Sequence, residues 1–287
     1  MSTTIESGYD KKKQTTTQER NKSQISDLRK YNNWVKACLI HEYVQENTTV
    51  LDFCGGKGGD IQKFDNSKVK HLVIADLSTV SLEHAMERIK SRTNKLSFDC
   101  QTVPGDCFAQ DFVGKLPDLD YDVVSCQFAI HYSFSSPETA RQAIENVTSR
   151  LKVGGIFLGT TVNAYRVVKK LRCVPGTSFG NGLFKIEFDK AVDKEHIPIY
   201  GAQYNFKLVD AIEDLPEFLI PFCEFHKICE DFGLRLVALW DLNQFYHDWI
   251  HKEEYKKLFE SMTKGSVRME QWEIIGYYNA FVFQKVK

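Results

Sequence analysis

The sequence predicts an α/β protein with a doubly wound, mostly parallel sheet. Three observations predict it. Val50 to Asp60, reading VLDFCGGKGGD, carries an apolar strand into a glycine-rich turn and on into a helix expected at Asp60–Phe64. His71–Ala75 (HLVIA) is a second apolar strand, ending in a carboxylate at Asp76. Strand-like and helical patterns then alternate as far as Thr161, the order that places crossover helices between parallel strands.

Bulk composition bounds the rest. At 287 residues the chain accommodates one large α/β domain with an insertion, or two small domains. Net charge is −1, so any site for a polyanion must be a local patch. None of the eight cysteines forms a C-x-x-C pair, which argues against a zinc ribbon and for scattered, reduced thiols. No apolar run approaches a membrane span and no signal-peptide core opens the chain, so a soluble, intracellular protein without membrane partners is expected. Residues 1 to about 22 are polar and read as a disordered tail with a short basic run at Lys11–Lys13; the folded domain is expected over 23–287.

From Asp27 to Val44, Leu28, Tyr31, Val35, Cys38, Leu39 and Val44 recur at helical spacing, which brings Asn32, Asn33 and Lys36 near one another. After the first two strands, Val80–Arg92 reads as a helix carrying Arg88. Phe98–Val103 is a third strand, closed by Pro104-Gly105-Asp106-Cys107, and Tyr121–Ser125 a fourth, running on to Gln127 and Phe128. Thr139–Leu151 is a helix, and Gly154-Gly155 turns into a fifth strand, Ile156–Thr161. The alternation then breaks. Phe184, Ile186 and Phe188, and likewise Tyr204, Phe206 and Leu208, alternate with polar residues, predicting two antiparallel strands in an insertion over about 163–215. Asp214 and Pro216 predict a helix start, with Glu217 just inside it. Leu234–Trp240 is a sixth strand, residues 241–272 read as helical or partly loose, and Tyr277–Gln284 is a seventh strand, antiparallel to its neighbours.

Glycine serves where the backbone needs positive φ or where a ligand must approach the main chain. Gly55, Gly56, Gly58 and Gly59 therefore mark a ligand crevice at the strand ends, the usual nucleotide site of an open α/β sheet. No Gly-Lys-Ser/Thr ending is present, which excludes a phosphate-gripping loop. Asp52 at the strand tip suits an amino or hydroxyl donor, and Asp76 stands where a ribose-binding carboxylate belongs. The turn by itself also fits other α/β proteins, and each cation singled out below also reads as a solvated surface charge.

A wider set of segments carries a resemblance: NNWVKACL (Asn32 to Leu39), LDFCGGKGGD, ADLSTVSLEHA, GDCF, SCQFAIHYSF (Ser125 to Phe134), LKVGGIFLGTT, PEFLIPF and IGYYNAFVF (Ile275 to Phe283). Over about residues 23–287 the chain resembles the eukaryotic and viral mRNA cap guanine-N7 methyltransferases. The resemblance implies a class I methyltransferase-like, seven-stranded sheet with a cap-binding lid inserted between the fifth and sixth strands. It implies S-adenosylmethionine as cofactor, held at Lys36, Asp52, Cys54, Gly56, Asp76, Asp106, Gln127 and Tyr132. It implies cap contacts from Asn32, Asn33, Lys57, Lys63, Arg88, His131, Glu217 and Tyr278. Cys54-Gly55 stands where the family usually has Gly-Cys, which implies a backbone contact there and a thiol turned away from the methionine moiety. Capped mRNA is the implied substrate, in the nucleus. A separate RNA triphosphatase and guanylyltransferase are implied partners, with an RNA polymerase II tail or an activating subunit as further candidates.

The chemistry agrees with that reading. Guanine N7 has a lone pair and no proton to lose, and a sulfonium methyl is already activated, so neither a nucleophile, a proton-transfer residue nor a metal is expected. Alignment of the reacting atoms supplies the rate. Glu217 suits the guanine N1–H and amine, His131 suits O6 or a ribose hydroxyl, and Phe128, Tyr132 or Tyr278 can pack on the ring; core packing is the other reading of the aromatics. Two alternatives stay open from the residues alone: methyl transfer to another RNA site or a small molecule, and a non-catalytic subunit that binds cofactor or cap.

Overall fold

A computed structural model describes residues 22–93, 95–263 and 265–287. The tail to Asn21, with the Lys11–Lys13 run, lies outside the described residues. Helix α1 (Ser26–Tyr43) buries Leu28, Tyr31, Trp34, Val35, Cys38 and Leu39, the stripe its sequence spacing predicts. Strand β1 (Thr49–Phe53) is buried at every position, as a central parallel strand covered on both faces must be. There follow α2 (Ile61–Asn66), β2 (His71–Asp76), α3 (Thr79–Lys90), β3 (Asp99–Pro104), β4 (Tyr121–Gln127), α4 (Pro137–Ser149) and β5 (Leu151–Val162). Ser78 and Ser136 cap α3 and α4 by accepting from Ser81 N–H and Thr139 N–H, and Pro137 occupies the first turn of α4, where a missing N–H costs nothing.

Chain order then departs from strict alternation. Helix α5 (Ala164–Arg172) leads into β6 (Ser178–Gly180), β7 (Phe184–Phe188), β8 (Gln203–Leu208) and β9 (Ile212–Phe218). The chain returns through α6 (Phe222–Asp231), β10 (Leu234–Asp241), α7 (Leu242–Trp249), α8 (Glu253–Thr263), α9 (Met269–Ile275) and β11 (Tyr278–Lys285). The main sheet has the order β10-β11-β5-β4-β1-β2-β3, with β11 antiparallel to both neighbours and the other pairings parallel. The chain reverses across the sheet at β1 and β4, where ligands of such folds bind. The second sheet, β6-β7-β8-β9, is antiparallel throughout.

Three expectations are corrected. The insertion holds four strands, not two. Asp214 and Pro216 do not start a helix; they lie in β9, and the helix begins at Phe222, after Pro221. Strand β9 is the edge of its sheet, where a residue without an N–H is tolerated. Gly154-Gly155 does not precede the fifth strand but lies inside it. Tyr121 pairs with Leu151 and Val123 with Ile156, so four residues of β5 bulge opposite Asp122, with Gly154 at φ +84°.

Candidate active site

The first half of the site is the crevice at the carboxyl ends of β1 to β4. Gly56 sits at φ +53° in the turn after β1, and its N–H donates to Asp76 Oδ2 at 2.8 Å. Ser78 N–H donates to the other oxygen of Asp76 at 2.9 Å, and Gly105 N–H to its carbonyl at 3.0 Å. Asp106 Oδ1 accepts from Phe108 N–H at 2.9 Å. Gly56 and Asp76, expected separately from sequence, are thus bonded to one another, and Asp106 directly follows Gly105, which is bonded to Asp76. At Gly58, at φ +64°, an added Cβ would lie 2.4 Å from Ile61 Cδ1, so the turn closes on α2 only with glycine there.

Asp52 is 2% exposed, with no partner for Oδ2. Burial, reinforced by the charge of Asp60 and partly opposed by Lys36, pushes its pKa up to about 8. Cys54 adopts φ +61°, unusual for a side-chain-bearing residue. Hydrogen bonds with the Cys107 and Cys126 thiols hold its own thiol well above the ordinary range.

Lys36 and Lys63, expected as one cofactor ligand and one phosphate ligand, meet at a shared carboxylate. Both are tied to Asp60, at 2.8 Å and 2.7 Å. Lys63 Nζ also donates to Asn33 Oδ1 at 2.9 Å, and Asn33 Nδ2 to Arg29 O at 3.0 Å. Burial alone would raise the Asp60 pKa; the two ammonium groups outweigh it and hold the carboxyl far below its usual range. Burial likewise lowers the Lys63 pKa, with Asp60 opposing. Asp60 is a member of this cluster that sequence reading missed. Arg88 donates to Gly58 O at 3.2 Å, and half-buried Lys57 lies on the same turn.

The second half is a pocket of about 130 Å³. It gathers five residues expected from sequence, Asn32, Phe128, His131, Glu217 and Tyr278, drawn from α1, the segment after β4, β9 and β11. Leu28, Phe206, Leu208, Ile212 and Ile274 complete the wall and were not foreseen as site residues. The alternation of Tyr204, Phe206 and Leu208 was the available signal for two of them: it gave the strand but not what its buried face encloses.

Glu217 is 3% exposed and its Oε2 accepts from Tyr204 OH at 2.6 Å. His131, 1% exposed, approaches the same oxygen only to 3.8 Å through Nε2, and neither ring nitrogen has a hydrogen-bond partner. Burial pulls its pKa down to about 3, so the imidazole is neutral. Asn32 Oδ1 is likewise buried without a partner. Unsatisfied buried polar atoms cost free energy, so their gathering around one cavity points to a polar ligand that completes them. Phe128, at φ +57°, meets Tyr278 edge-on at 5.2 Å, and Tyr132 lies against His131 with ring centroids 4.5 Å apart.

Gln127 and Phe128 join the two halves. Thr160 fixes both: its hydroxyl donates to Gln127 Oε1 and accepts from Phe128 N–H, each at 3.0 Å. A crevice rimmed by carboxylates thus adjoins an aromatic pocket with one carboxylate and one neutral imidazole. The crevice residues fit a nucleoside cofactor: Asp76, at the tip of β2, is placed to take ribose hydroxyls, and the buried Asp52 Oδ2 has no partner of its own.

Comparison with known proteins agrees. The mRNA (guanine-N(7))-methyltransferase domain family matches residues 1–286. An mRNA cap guanine-N(7) methyltransferase of Oryza sativa is 35% identical over 96% of this chain and 79% of its own length. That of Schizosaccharomyces pombe is 32% identical over 98% and 81%. Among solved structures, the CcbJ methyltransferase of Streptomyces caelestis has a TM-score of 0.58 at 14% identity, covering 99% of this chain and 96% of that one. The PH0226 protein of Pyrococcus horikoshii has 0.54 at 15%, covering 94% and 92%. At such identities these two likenesses show the shared fold alone. With its family match over nearly the whole length and relatives above 30% identity, the chain belongs to the mRNA cap guanine-N7 methyltransferase family.

Proposed function

We propose that the chain transfers the methyl group of S-adenosylmethionine to N7 of the 5′-terminal guanosine of capped mRNA, and that it works by positioning. The carrying observation is the pocket in which buried Glu217, uncharged His131 and the unpartnered Asn32 Oδ1 adjoin the glycine-rich crevice.

The cofactor supplies a methyl carbon already activated by its sulfonium. Asp76 would hold its ribose, Asp106 the adenine amine, and Gln127, Tyr132, Lys36 and Asp52 the remainder, with backbone contacts at Cys54 and Gly56. In the pocket, Glu217 would accept from guanine N1–H and the exocyclic amine, a donor pair that adenine lacks. His131, uncharged, would donate to O6 or a ribose hydroxyl. A carboxylate beside a neutral imidazole also suits a purine that becomes cationic as the methyl arrives. Phe128 and Tyr278 would pack on the base. Lys57, Lys63 and Arg88 cluster at the glycine-rich turn and would meet the triphosphate, Lys63 sharing its charge with Asp60. Because N7 loses no proton, holding the reacting atoms in line is the whole task, and such alignment can supply about 7–11 kcal/mol. The antiparallel insertion, through Phe206, Leu208, Ile212 and Glu217, would serve as the cap-binding lid. The chain would act after an RNA triphosphatase and a guanylyltransferase, as separate proteins, in the nucleus; an RNA polymerase II tail or an activating subunit would be a further partner.

Incubation with methyl-labelled cofactor and RNA bearing an unmethylated guanosine cap tests this. Label recovered as 7-methylguanosine, with none on pre-methylated or uncapped RNA, is the expected result. Label on uncapped RNA or elsewhere on the transcript would overturn the substrate. Binding of both ligands without transfer would make the chain a non-catalytic subunit.

A further inference from the structure

Glu217 is not held by its own strand alone. Its register partner across the β8–β9 ladder is Tyr204, whose hydroxyl donates to Glu217 Oε2 at 2.6 Å. Tyr204 is 2% exposed and is not among the residues that line the pocket. On its other side it pairs with Phe188 of β7, ring against ring at 5.5 Å. The phenol is therefore clamped between two strands, with its oxygen aimed at the carboxylate.

That clamp has a chemical consequence. The terminal torsion of a glutamate is broad and roughly two-fold, so strand geometry does not fix the plane of its carboxylate. Recognition of a guanine edge depends on that plane, since two parallel donors must meet two acceptor lone pairs. A short bond from an immobile phenol fixes it and offsets part of the cost of burying the charge. It leaves the carboxylate further lone pairs, because each oxygen offers about two. Burial, then the nearby Glu217 charge, keep the phenol protonated far above neutral pH, so it remains a donor.

We infer that Tyr204 is a positioning residue that sets base specificity: it orients the Glu217 carboxylate toward the Watson–Crick edge of the cap guanine without lining the pocket itself, an inference that rests on assigning this pocket to the cap. The competing account is a purely structural cross-strand bond, which would hold the lid together and discriminate nothing.

The test uses the full chain and two dinucleotide caps. One carries guanosine; the other carries inosine, which lacks the exocyclic amine. Affinities for both caps and for the cofactor are measured by calorimetry, with kcat and KM on capped RNA alongside. Tyr204→Phe should weaken the guanosine cap on the order of tenfold and the inosine cap less, narrowing the preference between them. KM should rise while kcat and cofactor affinity stay within about twofold. In a Glu217→Gln background, where the oriented carboxylate is gone, Tyr204→Phe should narrow the preference no further. An unchanged preference in Tyr204→Phe, or equal losses for both caps and the cofactor together with a lowered Tm, would overturn the role of Tyr204. A wild-type chain with no preference between the caps would instead overturn the assignment of the pocket.

Discussion

Burial decides the charge of two residues in this site, and in opposite senses. His131 has its pKa lowered to about 3, so between pH 3 and 6.5 the unfolded chain holds a proton there that the folded chain does not. Its contribution makes stability rise with pH across that window. Asp52 has its pKa raised to about 8, so between pH 3.8 and 8 the folded chain holds the extra proton and stability falls as pH rises. The two trends oppose each other up to pH 6.5, and above it Asp52 acts alone. The ligand-free protein should therefore lose on the order of 1–2 kcal/mol between pH 6.5 and 8. Urea unfolding at several pH values should show the loss in the wild type and a flatter profile in Asp52→Asn. Glu217→Gln should lower kcat/KM for capped RNA about 100-fold, because the base donors lose their acceptor, and leave cofactor affinity unchanged by calorimetry. The resemblance made Glu217 and His131 legible, since both lie in short, specific motifs. Asp60 was written in the same glycine-rich run but was passed over, because its role appears only when Lys36, 24 residues earlier, is brought to it.

Among the elements, α1 bears most on the site, for it carries Asn32 in the pocket wall and Asn33 and Lys36 in the cluster around Lys63 and Asp60. Trp34 anchors it: fully buried, it donates through Nε1 to Tyr255 O at 2.8 Å and meets Phe245 and Phe259 edge-on. Trp34→Ala should cost about 3–5 kcal/mol, read from the denaturation midpoint. Helices such as α1 were legible because a 3.6-residue stripe survives in sequence. The start of α6 was not, because Pro216 carries the same local signal at a helix start as in an edge strand, and only pairing with β8 separates the two. The bulge of β5 was hidden for a related reason. Glycines that break a strand and glycines that loop four residues out of it look alike until the partner strand is known.

For the whole molecule the balance of charge matters. A net charge of −1 gives no general attraction to RNA, so affinity for phosphate must come from a local group of cations, for which the proposal names those at the glycine-rich turn. If Lys57, Lys63 and Arg88 meet three phosphate charges, the plot of log affinity for capped RNA against log salt should have a slope of about −2, and Arg88→Ala should make it shallower by about 0.7. A slope near −6 would mean a much longer RNA track than this trio provides.

The pocket takes one wall from Leu28 and Asn32 and another from Ile274 and Tyr278, stretches separated by almost the entire described chain. During translation, Leu28 and Asn32 leave the ribosome well before Ile274 and Tyr278, and this wall of the pocket must wait for the later pair. A chain stalled short of Ile274 lacks one wall of that pocket. The nascent protein should thus gain substrate recognition only after Tyr278 has emerged, and ribosome-stalled chains of graded length would reveal the length at which that ability arrives.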